Sequence, residues 1–296
     1  MRWLLFLLSI GCTRDVVVGV ENLPAEESFV LTMNGIPMVA RNSNVWMSSK
    51  ASMREEHVLK LWYGERECTL SKAQVTGELG FGEFIHQTDW SCPGLLGYTM
   101  HPIGDLMVGE SEITVGLWQQ IKGEDQEDIC GSKCPKSNLN WAQTLEFANQ
   151  MSILEGLTQC YHNSNGKTIE FKKDCDGYRL PTDEEWIGFS SKDAKMPYAD
   201  SESAPTVGWV KENSDLLRHP VCILERNGYE LCDVTGNVWE WCWDTPERAE
   251  IRRVRGGGFT STLEVARLDN GVDFPAHLGA EHIGFRLVRS RGAGAE

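Results

Sequence analysis

Asp233-Val-Thr-Gly-Asn-Val-Trp-Glu-Trp-Cys-Trp-Asp244 is the stretch whose reading decides the fold. Its tryptophans, Trp239, Trp241 and Trp243, alternate, so an extended chain puts them on one face and Glu240 on the other. Gly236-Asn237 is a turn signal that lets main-chain carbonyls converge beside that carboxylate. An acid at either end of a tight turn, with backbone oxygens between, is hard-oxygen chemistry suited to Ca²⁺. An aromatic core strand carrying a solvated Glu240 fits the same spacing.

Other stretches flank it in a fixed order. Gly177-Tyr-Arg-Leu-Pro-Thr-Asp-Glu-Glu-Trp186 comes before; Val254-Arg-Gly-Gly-Gly-Phe259 and Ile283-Gly-Phe-Arg-Leu-Val288 come after. With Gly236-Asn-Val-Trp-Glu-Trp241 they resemble the motifs of the formylglycine-generating enzyme (sulfatase-modifying factor) family, and the resemblance runs roughly from Met33 to Arg289. It implies an α+β fold of the C-type-lectin-like kind: a small twisted antiparallel sheet, few helices and long calcium-supported loops. It also implies a residue set for Ca²⁺, namely the Asp233 side chain, the carbonyls of Gly236 and Val238, and Glu240. Asp233 stands where the family also uses Asn, which adds a formal charge to the site. The family's second calcium site is not traceable; Asn213, Ser214 and Asp215 lie in its region.

For catalysis the resemblance implies Cu(I) held between a pair of cysteine thiolates. Counting on from Arg255, the two positions fall on Ser261 and Ala266. A serine hydroxyl is a hard, protonated donor and alanine has none, so soft Cu(I) finds no grip there. No cysteine lies between Trp243 and the C-terminus to replace them. Copper, and with it formylglycine oxidation, is therefore disfavoured. Relatives that use iron hold it with histidines on an added helical domain, whereas the residues before Tyr98 offer only His57 and His86 and no long helical pattern. His277, Glu281 and His282, with Asp269 and Asp273 nearby, read either as a metal cluster or as a solvated polar loop. A Ser261–His277 hydrolase has no visible orienting third group. Arg179, Arg255 and Arg286 read as structural guanidinium groups pairing acids such as Glu185 in the core.

The 296 residues carry a net charge of −15, which argues against nucleic-acid and anionic-membrane partners. With 29 Gly and 11 Trp, the composition points to a loop-rich fold around a tryptophan-heavy core. Arg2 precedes a short apolar run, Trp3 to Ile10, of signal-peptide size, and Leu8-Ser-Ile-Gly-Cys12 resembles a bacterial lipoprotein box with Ser9 where Leu is usual. The expected organisation is a lipoprotein-type signal peptide over 1–11, a lipidated Cys12 opening a tether over 12–32, and a domain over 33–290. Residues 50–97 match no motif and read as an insertion, and 291–296 as a disordered tail. A plain secretory signal fits the same N-terminus. Export makes disulfides the default for the other nine cysteines, an odd number that leaves one thiol over. Cys160 and Cys175 flank an Asn165-Gly166 turn and form the expected hairpin disulfide, while Cys130 and Cys134 lack the second pair a zinc site needs.

Within the domain, Met38 to Met47 reads as a first strand and Val108 to Ile113 as another. Thr114 caps a helix that stops at Gly123, Asn140 starts a longer one ending before Gly156, and Thr182 to Glu185 is a capping box. The function this supports is an exported, lipid-anchored protein of the bacterial outer membrane or facing the periplasm. It would act as a binding or scaffolding module for a protein or small-molecule ligand in the cell envelope, with the stretch from Ser261 to Asp273 as its contact surface. A formylglycine-generating oxidase or other metal-dependent enzyme of the family is the alternative, and a diversified surface receptor the third.

Overall fold

The computed structural model describes residues 3–6, 14–19, 29–33, 36–37, 39–42, 45–51, 59–63, 66–70, 74–79, 82–86, 90–91, 96–123, 128–163, 169–172, 174–244 and 250–291. Cys12, His57 and the tail beyond Arg291 lie outside them. The chain divides into two units, residues 1–95 with 153–156, and residues 96–152 with 157–296.

In the first unit, β1 (Trp3–Phe6), β2 (Arg14–Gly19), β5 (Val39–Asn42), β6 (Val45–Ala51), β9 (Gln74–Leu79) and β10 (Gly82–His86) form one sheet in the order β5-β6-β2-β1-β10-β9. The other sheet, in the order β11-β8-β7-β3-β4, contains β3 (Phe29–Met33), β4 (Ile36–Pro37), β7 (Leu59–Tyr63), β8 (Arg66–Leu70) and β11 (Trp90–Ser91). Leu31 faces Leu61, which faces Cys68, and all three are buried. The expected single strand over Met38 to Met47 is instead the antiparallel pair β5 and β6. The span read as a leader contains β1, and the span read as a tether contains β2 and part of β3.

The second unit carries all four motifs. β12 (Met100–Ile103), β13 (Leu106–Gly109) and β20 (Val288–Ser290) make a three-stranded antiparallel sheet. β16 (Trp239–Trp241), β17 (Ile251–Arg255), β18 (Gly271–Pro275) and β19 (Ile283–Gly284) make a second, in the order β18-β17-β16-β19, with β16 and β19 parallel. The hairpin of β14 (Tyr161–Asn163) and β15 (Ile169–Phe171) stands apart.

Four helices occur among the described residues. α1 (Val115–Lys122) is capped by the Thr114 hydroxyl accepting from Leu117 N and ends at Gly123 in the left-handed region, as its sequence dictates. α2 (Trp141–Glu155) opens on Asn140, whose Oδ1 accepts from Gln143 N while Gln143 Oε1 accepts from Asn140 N. α3 (Asp183–Ser190) has both halves of the Thr182–Glu185 capping box, and α4 (Ala204–Val207) is a single turn. The strand expected over Val108 to Ile113 stops at Gly109. Past that point the carbonyls of Gly109 and Glu110 turn to the Arg286 guanidinium.

The core is aromatic. Trp118 stacks on Phe147 at 4.8 Å, and Phe285 meets Phe147 edge-on at 5.6 Å. Three buried indoles find acceptors: Trp241 donates to Leu139 O, Trp141 to Cys242 O and Trp186 to Glu240, whereas the buried Nε1 of Trp209 has no partner. Cys160–Cys175, Cys222–Cys232 and Cys130–Cys134 are disulfides, and Cys242 is a buried free thiol. Loop-closure entropy gives about 3 kcal/mol to each of the first two and about 2 kcal/mol to Cys130–Cys134, whose partners are four residues apart.

Candidate functional site

The turn Asp233 to Asn237 delivers β16 into the sheet, and its parallel register places Glu240 beside Gly284. Arg286 lies two residues further on and so points to the same face. The result is a buried ion pair: Arg286 Nε donates to both Glu240 oxygens (2.8 and 2.7 Å) and Nη2 to Oε1 at 2.6 Å. The rest of the guanidinium is spent on the carbonyls of Gly109, Glu110 and Cys232, and Trp186 Nε1 adds a 2.7 Å bond to Glu240 Oε2. Glu240 is 1% exposed, so the solvated glutamate allowed by the spacing does not occur.

Two more carboxylates are buried in this cluster. Asp233 Oδ2 accepts from Cys222 N at 2.7 Å, but its Oδ1 has no partner, and neither oxygen of Glu112 has one. Three carboxylates thus face one guanidinium. Burial, first, and then the Asp233 and Glu240 charges push Glu112 well above the usual carboxylate range. Burial likewise pushes Asp233 up to about 6 against the pull of Cys222 N and Arg286. The excess of two negative charges must be met by protons or by a divalent cation. Calcium fits on charge, and Asp233 Oδ1 is an open hard donor, while Glu240 already gives both oxygens to Arg286 and Trp186. Asn213 and Ser214 are already engaged: Asn213 Oδ1 accepts from Val210 N in its own loop, and Ser214 Oγ donates to the distant Phe259 O.

Ser261 and Ala266 are brought together. A Cβ built on Gly257 would lie 2.9 Å from Ala266 Cβ and 3.5 Å from Ser261 Cβ, so both positions close on one glycine. Both are buried, and the Ser261 hydroxyl accepts from Gly258 N at 2.9 Å to close its turn. No sulfur donor stands at either position, so the pair does not fit Cu(I). His277, Glu281 and His282 do not converge with Asp269 and Asp273. Asp273 pairs with Arg253, Asp269 with Arg267, and the His282 ring meets Phe274 edge-on. The one metal-sized group among the described residues, Glu110 with Cys222 and Cys232, has its two sulfurs joined in a disulfide. The motif arginines pair acids as expected: Arg179 with Glu185, and Arg255 with Asp183, each bidentate.

An open cavity lies elsewhere among the described residues, and sequence reasoning missed it. A cleft of about 470 Å³ is walled by α1, residues 128–138 and residues 216–218, with Phe259 and Glu281 at its edge. Val115, Trp118 and Phe259 give it a buried apolar lining, and its lip carries Leu216 and Leu217, 54% and 63% exposed. Phe259 and Glu281 flank the stretch expected to make contact, but no residue from Ser261 to Asp273 lines the cleft. The available signals were the Leu216-Leu217 pair inside a polar loop and the Cys130–Cys134 spacing, neither of which names a cleft by itself.

The second unit, with few helices and small sheets held by long loops around a buried Trp-Glu-Trp strand, defines an α+β protein of the C-type-lectin-like kind. The chain belongs to the sulfatase-modifying factor enzyme 1-like domain family, whose profile matches residues 48–291. It is 28% identical over 230 residues to the "Chaperone protein LppX" of Paenibacillus barcinonensis, covering 64% of this chain and 81% of that protein. Among solved structures it is similar to Treponema denticola variable protein 1 (TM-score 0.59, 22% identity, covering 79% of this chain and 96% of that one). It is also similar to CarF (TM-score 0.54, 18% identity, covering 75% and 94%). At these identities the structural likeness speaks for the fold alone.

Proposed function

We propose that this is an exported, lipid-anchored envelope protein whose family domain binds polypeptide partners instead of oxidising them. The observation that carries the reading is the Ser261–Ala266 pair: the two positions meet on Gly257 with no thiol at either. The described cysteines other than Cys242 are in disulfides, and Cys242 is buried, so among the described residues no accessible thiolate stands in for the missing pair. The named role of the LppX relative as a chaperone supports client binding, and the apolar cleft offers a surface for it. Disulfides and the Leu8 to Cys12 box support export and an anchor at Cys12. Mass spectrometry of the mature N-terminus tests the anchor: a diacylated Cys12 is expected, and an unacylated start at another residue discards it.

Calcium, bound through Asp233, Gly236, Val238 and Glu240, would pin the turn and neutralise the carboxylate excess, with Glu240 shared with Arg286. The pH dependence has a definite sign. Asp233 binds its proton more tightly folded (about 6) than at its ordinary 3.8, so without metal the folded state is favoured by protonation. Stability then falls as pH rises from about 4 to about 6, by on the order of 3 kcal/mol. Calcium, which needs the ionised form, restores that loss. Thermal melts in chelator and in calcium, at about pH 5 and about pH 7.5, check this: the calcium increment in Tm should be larger at the higher pH, and Asp233→Asn, which keeps a side-chain oxygen but no titrating charge, should shrink that difference. Without calcium, at the higher pH, Asp233→Asn should raise Tm, because it removes a buried charge. Equal increments at both pH values would refute the assignment.

A further inference from the structure

The wall of the cleft contains a disulfide that ties together no separate elements. Cys130 and Cys134 belong to one turn, whereas Cys160–Cys175 brackets the β14–β15 hairpin. Its two sulfurs are unequal: Cys134 is fully buried, while Cys130 is half-buried and lines the cleft. Around Cys130 the surface is apolar beyond what packing asks. Ile129 is fully exposed, and Leu216 stands at the lip in the left-handed region (φ 60°), a conformation that costs a non-glycine residue free energy. Arg218 fixes the two walls to each other, donating to Pro135 O at 2.7 Å and to both Asp128 oxygens at 3.1 Å. Cys130 Sγ sits 3.1 Å from the Arg218 carbonyl. Lys136, also in the wall, supplies a positive charge that favours an arriving thiolate.

We infer that the cleft is a thiol–disulfide exchange site for reduced cysteines flanked by apolar residues in polypeptide clients, an inference that rests on the client-binding reading above. The client thiolate attacks Sγ of Cys130, the cysteine of the pair that lines the cleft. A client–Cys130 bond forms, the Cys130–Cys134 bond breaks, and Cys134 leaves with the electron pair and takes a proton from water. A second client thiolate attacks the client sulfur of the mixed disulfide and releases Cys130. The client is oxidised by two electrons to a disulfide, and the Cys130–Cys134 pair, the oxidant, is reduced to two thiols.

The test uses the oxidised full chain and a synthetic peptide with one cysteine between leucine and phenylalanine, against the same peptide with serine and glycine flanks. The reaction is quenched with N-ethylmaleimide, which caps Cys134, and the adduct is mapped by mass spectrometry. An adduct on Cys130 that forms about tenfold faster with the apolar peptide is expected, the rate dropping to that of the polar peptide in Leu216→Asp/Leu217→Asp. No adduct, equal rates for the two peptides, or an adduct on another cysteine would overturn the inference. Anisotropy with the cysteine-to-serine version of the apolar peptide reads binding alone, on wild type and on Cys130→Ser/Cys134→Ser. Binding without adduct removes the exchange chemistry and leaves the client reading standing; loss of binding removes the client reading itself.

Discussion

Arg286→Met should cost the second unit at least about 4 kcal/mol, enough to lose the folded state in a protein of ordinary stability. The guanidinium is fully buried, and its removal strands Glu240 with only Trp186 as a donor. It also removes the donors that Arg286 gives to the carbonyls of Gly109 and Cys232, while Glu110 O keeps its bond from Cys232 N. Glu240→Gln alone should cost less, because Arg286 loses its closest counter-charge but still faces the buried Glu112 and Asp233 carboxylates. The double variant should recover part of the loss, since neither residue then holds an unpaired charge. Urea denaturation with disulfides intact, run as a double-mutant cycle, measures this; a coupling energy of about 2 kcal/mol or more is expected. Additive effects would mean the pair is not the centre of the fold.

Gly236→Ala should cost about 3–5 kcal/mol although it adds one methyl group. The residue sits at φ +80°, where L side chains are strained, and an added Cβ would lie 2.3 Å from Trp209 O, a backbone atom that cannot swing away. Asn237 N donates to that same carbonyl, so relief of the clash would also break the turn that delivers Asp233 and Glu240. The variant should therefore lose both stability and the calcium increment. Gly188→Ala, where nothing lies within 4 Å, is the control and should be close to neutral or slightly stabilising. A Gly236→Ala protein that melted like wild type would show that the turn is not under this constraint.

How much of this was readable in the sequence depends on the range of the interaction. Thr114, Gly123 and the Thr182–Glu185 box act within a turn or two of chain, so their residue types suffice. The Cys160–Cys175 hairpin and the Arg179–Glu185 pair are similarly short-range. The partners of Glu240 were not readable, because Arg286 and Trp186 come from 46 and 54 residues away, the first aligned by the parallel β16–β19 register and the second carried in on α3. Glu112 looked like part of a strand face; its burial follows from the chain leaving the sheet at Gly109 to feed Arg286. The cleft needs α1, the 128–138 loop and the 216–218 loop together, and no periodicity records that meeting. Ser261 and Ala266 were readable in the opposite way, through residue chemistry that a long-range fold could not repair.

The central claim is that the architecture is the family's while the sulfur grip is not. Its most direct test is to load purified protein with Cu(I), remove the excess and count the copper, then incubate it with a cysteine-bearing peptide and oxygen and weigh the peptide. The account predicts far less than one copper per chain and a peptide that yields no aldehyde. One copper per chain, with a thiol turned into an aldehyde, would contradict it.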